Sequence, residues 1–132
     1  MKKIIAEISR QTNVTEEAII DKVKLMLDAN KIKVVKMSNH PLCTDIERDT
    51  VALFTAWLTE YNQYLEEDKP IPKLDLANEG LLTLSLQSLV GVIKVSMDEG
   101  FTKHIVDMTK EEQIAYSIVD MVLINLITDI ML

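Results

Sequence analysis

Residues 46–66, IERDTVALFTAWLTEYNQYLE, restrict the fold more than any other stretch. They hold Phe54, Trp57, Tyr61 and Tyr64, four of the six aromatic residues in the chain. At about 100° per residue, Ile46, Leu53, Phe54, Trp57, Leu58, Tyr61, Tyr64 and Leu65 fall on one arc. Glu47, Asp49, Thr59, Glu60, Asn62, Gln63 and Glu66 fill the opposite arc. The pattern predicts an amphipathic helix with a wide aromatic face, and a face that large must be covered by other elements of the chain. Thr44 followed by Glu47 is a capping-box start, and Pro70 and Pro72 close the segment. The central helix is therefore placed at 44–67.

The flanking sequence offers helices to cover it. Ile4, Ile5 and Ile8 recur at helical spacing in residues 2–12. Asn13-Val14 reads as a turn, and Thr15 as the N-cap of a helix over about 16–29 with Ala18, Ile19, Val23, Met26 and Leu27 inward. Asn30 is the residue expected to end it. The β-branched run IKVVKM, 32–37, is the one place where a short strand is expected. Residues 68–79 read as a proline-containing, charged linker. Beyond it lies a C-terminal helical pair, 80–132. Its first helix, about 80–98, puts Leu82, Leu86, Leu89, Val90, Ile93 and Met97 on one face. Gly91 in its interior predicts close approach of a neighbour, and Gly100 its end.

The last helix, 110–130, opens on a second capping box, Thr109 with Glu112. Its apolar residues span an arc of roughly 200°, more than one contact face needs. A second copy of the chain is expected to share it, through Ile114, Ile118, Met121, Val122, Asn125, Leu126 and Asp129. The expectation is a single all-α domain of about five helices, with room for one short strand at 32–37, assembled as a homodimer.

Composition excludes several classes. Three glycines and three prolines in 132 residues are too few for a turn-rich β fold. The most apolar window, 113–132, contains Asp120 and Asp129, which argues against a membrane span. Cys43 is the one cysteine, so no internal disulfide can form, and a cytoplasmic location is expected. The formal net charge is −7. Residues 1–37 nevertheless carry eight basic and five acidic side chains. That basic end opens a nucleic-acid reading through Lys2, Lys3, Lys22, Lys24, Lys31, Lys33 and Lys36.

Residues 8–23, ISRQTNVTEEAIIDKV, resemble a helix-turn-helix unit. Ser9 takes the small position of the first helix, Asn13-Val14 the Gly-hydrophobic turn, and Ile19 and Val23 the inward positions of the second helix. The resemblance extends over residues 2–37 and implies a DNA-binding regulator. Residues 111–129, EEQIAYSIVDMVLINLITD, together with 81–94, LLTLSLQSLVGVIK, are similar to the last two core helices of MazG-like all-α nucleotide pyrophosphohydrolases. That resemblance implies a Mg²⁺ site built from four carboxylates. Asp120 matches one of them, whereas Ser117, Ser85 and Ser88 stand at the other three. With one carboxylate of four, the expectation is an inactive scaffold.

There is no Gly-rich phosphate loop, no Ser-His-Asp order and no His pair at ligand spacing. His40 and Cys43 are two candidate ligands where zinc needs four. No catalytic residue, metal or cofactor is expected. The sequence points instead to a non-enzymatic interaction module acting on another protein: an adaptor, inhibitor or regulator, of a kind mobile elements also carry.

Overall fold

Described over residues 2–65 and 80–131, the computed structural model consists of five α-helices. They are α1 (Lys2–Thr12), α2 (Glu16–Ser38), α3 (Asp45–Tyr64), α4 (Gly80–His104) and α5 (Lys110–Met131), with a 3₁₀ turn, Ile105–Asp107, between the last two. The expected linker at 68–79 and the side chains of Tyr64 and Asp129 lie outside what is described.

Three threonines start three helices. Thr15 Oγ1 accepts from the Ala18 amide, Thr44 Oγ1 from Glu47 and Thr109 Oγ1 from Glu112, each at 3.2 Å. Each satisfies a first-turn N–H that has no partner inside its helix. The Thr109 hydroxyl also donates to Glu112 Oε1 at 3.1 Å, so the second box closes through the side chains.

Among the described residues no strand is present, and the expected strand at 32–37 is replaced by the second half of α2. The reason lies one turn earlier. Ile19, Val23, Leu27 and Val34 are fully buried, and Asn30 falls on the same stripe. Its side-chain amide turns back to donate to Met26 O at 3.0 Å and meets Met97 Sδ at 3.5 Å. Asn30 is thus a satisfied polar residue inside a continuing helix, not its terminus. β-Branched residues cost a few tenths of a kcal/mol each in a helix. Burying Val34 alone returns roughly 1.5–3 kcal/mol, so packing decides. The helix ends instead at Asn39, whose N–H bonds Lys36 O, while the His40 N–H bonds Met37 O. Gly100 likewise does not end its helix, which runs on to His104. At Gly91 an added Cβ would meet nothing within 4 Å beyond its own helix, so no other described element approaches it closely.

α2 is the hub. α1, α3 and α5 pack on it, and α4 packs on α3 and α5. Side-chain pairs fix the directions. Lys31 meets Thr59 and Asp28 meets Asn62, so α2 and α3 are antiparallel. Asn30 meets Met97 and Lys33 meets Ser96, so α2 and α4 are antiparallel. Lys94 meets Asp120 and Asp98 meets Tyr116, so α4 and α5 are antiparallel. It follows that α3 runs parallel to α4, and α2 to α5. The bundle is two antiparallel hairpins, α2–α3 and α4–α5, laid side by side.

The core draws on all five helices. Phe54, Trp57 and Leu58 of α3 are buried in it, with Tyr61 stacked on Trp57 at a ring separation of 5.2 Å. Ile46, expected inward, is exposed. The buried Tyr61 hydroxyl finds no hydrogen-bond partner among the described residues, and burial pushes its pKa up to about 12. The two aromatics should therefore respond differently in denaturant unfolding. Trp57→Ala is expected to lose roughly 3–5 kcal/mol by leaving a cavity. Tyr61→Phe, which removes an unsatisfied buried polar atom, is expected to stay within about 1 kcal/mol of the parent or gain stability.

Candidate functional site

Among the described residues, a constellation of charged groups joins α4 to α5. Lys94 Nζ lies 3.0 Å from Asp98 Oδ2 and 3.1 Å from Asp120 Oδ1, and the Tyr116 hydroxyl donates to Asp98 Oδ1. The hydrogen bond from Tyr116, then that from Lys94, holds the Asp98 carboxyl below the usual carboxylate range. Asp98 and then Asp120 hold the Lys94 ammonium above its ordinary value. Burial first, and then Asp98, keep the Tyr116 phenol protonated well into the alkaline range. One cation is shared by two carboxylates, and the arrangement is a clamp between neighbouring helices.

This clamp also takes up Asp120, the one carboxylate at a MazG-like ligand position. The other three positions lie elsewhere. Ser117 bonds Gln113 O on its own helix. Ser85 faces α3, where its hydroxyl pairs with buried Thr50 at 2.9 Å. Ser85 and Lys94, nine residues apart, project about 180° from each other around α4. The four positions are therefore split between two sides of α4. Among the described residues, no group of three or more His, Cys, Asp or Glu side chains could hold a metal ion. His40 Nδ1 accepts from the Leu42 amide, and partial burial pushes the Cys43 thiol up.

The N-terminal lysines do not make one surface. Lys2 and Lys3 are exposed at the start of α1, while Lys22 and Lys24 are half-buried on α2. Lys31 donates to Thr59 Oγ1 of α3, whereas Lys33 donates to Ser96 Oγ of α4, on the other flank of the same helix. Lys36 is exposed. Glu16, Glu17 and Asp21 stand exposed at the opposite end of α2. The turn before them does have the geometry that its sequence suggested. Asn13 is the one non-glycine residue with positive φ among those described, at 60°, and Val14 is buried behind it. Asn is among the few residues that tolerate this region.

The residues expected at a dimer interface on α5 are mostly used by the chain itself. Ile118, Val122 and Leu126 are buried in its core, and Ile114 packs against that core. Met121 is half-buried and Asn125 exposed. The wide apolar arc of α5 arises because α2 and α4 both cover it.

Two apolar surfaces escaped the sequence reading. A groove of about 720 Å³ runs between α2 and α3, with Ile32, Val35 and Lys36 on one wall and Ala52, Ala56 and Glu60 on the other. It was hidden by reading 32–37 as a strand. The second is the outer face of α4, where Leu84, Val92 and Val95 are exposed. Gly91, from which close approach of a neighbour is expected, lies along it. Comparison with family models, curated proteins and solved structures gave no match. No helix among the described residues is long and apolar enough to cross a membrane.

The clamp has a pH signature. Asp98 has a depressed folded pKa, so its contribution is present above the unfolded carboxylate pKa and is lost as pH falls through the folded one. Asp98→Asn should therefore flatten the fall in melting temperature between about pH 5 and about pH 2. Because Asp98 is half-exposed, the change is expected to be small. A parent and variant with equally steep acid limbs would show that the clamp contributes nothing.

Proposed function

We propose that the chain is a non-enzymatic helical interaction module that receives a helix of another protein in the groove between α2 and α3. The observation that carries this reading is the groove. One wall carries small side chains, Ala52 and Ala56, and the other Ile32 and Val35, which stand 56% and 41% exposed. An amphipathic helix recognises its partners in such a groove through apolar side chains one and two turns apart. Lys36 on one rim and Glu60 on the other would fix its direction. The carboxylates of the α4–α5 clamp are engaged by Lys94 and Tyr116, which favours a binding role over a catalytic one.

The test is recovery of a stoichiometric protein partner from native lysate by the parent and by Ala52→Arg and Ala56→Arg. Both alanines are exposed, so the added bulk fills the groove without entering the core. A partner retained by the parent and reduced at least about tenfold by either arginine supports the reading. Equal recovery by all three chains, or none by any, removes it.

A second reading, a DNA-binding regulator, is favoured by the left-handed Asn13 between α1 and α2, with Val14 buried behind it. It predicts duplex binding at low salt that Lys24→Glu and Lys33→Glu abolish, with a steep salt dependence. An unshifted duplex at low salt would end it.

A further inference from the structure

We propose that the outer face of α4 pairs, antiparallel and about a two-fold axis, with the same face of a second copy of this chain. Leu84, Ser88, Gly91 and Val95 follow one another at steps of four, three and four residues, the spacing of a helix–helix seam. Leu84 and Val95 are 62% and 59% exposed, and Val92 beside them 56%. Outside its chain neighbours and its own helix backbone, no atom of the described residues lies within 4 Å of where a Gly91 Cβ would stand, so the seam is open to a neighbouring backbone.

The occupant follows from charge and register. A chain of net charge −7 repels its own copies unless they meet across an uncharged surface. From Gly80 to Met97 the one charged residue is Lys94, and it is held on the flank by Asp98 and Asp120. The first charge on the face itself is Glu99, which is exposed. A two-fold axis midway between Ser88 and Gly91 sets Leu84 opposite Val95 of the second copy, and Ser88 opposite its Gly91. Large meets medium and small meets small, twice over, as an isologous contact requires. A parallel pairing would set Glu99 against Glu99, whereas the antiparallel register parts the two. The α2–α3 groove shares no residue with this face, so the inference stands whether or not the groove takes a partner.

The test is light scattering with sedimentation over a concentration series, on the parent, Gly91→Glu and Val95→Glu. The parent is expected to be a dimer that each glutamate weakens more than about tenfold, with unchanged helical circular dichroism. Register is then read by disulfide trapping in a Cys43→Ser background, needed because Cys43 and Ser88 line the same cleft. Ser88→Cys mixed with Gly91→Cys is expected to cross-link much faster than either variant alone. A monomeric parent, a dimer indifferent to both glutamates, or cross-linking no faster in the mixture than alone would each overturn the proposal.

Discussion

Everything in this bundle depends on α2 remaining helical through Asn30. Ile19, Val23, Leu27 and Val34 form a single buried stripe only if the helix does not break between Leu27 and Val34. α1, α3 and α5 each rest on that stripe or beside it. Packing holds the helix unbroken there, and one local hydrogen bond, Asn30 to Met26 O, lets an amide sit in the apolar row without an unmet donor. With that donor satisfied, the second half of the helix can extend to Ser38. There its outer side forms one wall of the α2–α3 groove.

The same residue explains where sequence reasoning held and where it lost its way. Helix starts were legible because threonine caps are local chemistry: Thr15, Thr44 and Thr109 each act within their own first turn. The aromatic face of α3 was legible for the same reason of periodicity, although Ile46 ends up at the surface. Helix ends were not. Asn30 and Gly100 are good terminators by propensity, yet both helices run on, and at Asn30 the buried stripe outweighs a penalty of at most about 1 kcal/mol. The breadth of the apolar arc on α5 was legible, but its cause was not, since a second copy and two covering helices leave the same pattern.

Candidate chemistry was legible mainly through what could be paired with what. Asp120 could be found by spacing, but its neutralisation by Lys94 depends on how α4 and α5 face each other. The lysines of α2 looked like one basic stretch in sequence and divide between two flanks in space. Small residues carried the opposite lesson. Gly91, Ala52 and Ala56 are inconspicuous in a sequence, yet they mark the places where this surface leaves room for another backbone.

The side-by-side arrangement of the two hairpins has a consequence for how the chain assembles. Within each hairpin the partners are joined through a short connection and can find each other locally, whereas the parallel contacts, α2 with α5 and α3 with α4, join residues far apart in sequence. Loop-closure entropy falls on the second set. The hairpins are thus the natural cooperative units, and their docking is the slow, long-range event. Amide hydrogens of α2 facing α5 would then exchange only when the two halves part, and those along the α2–α3 seam only when a hairpin itself comes undone.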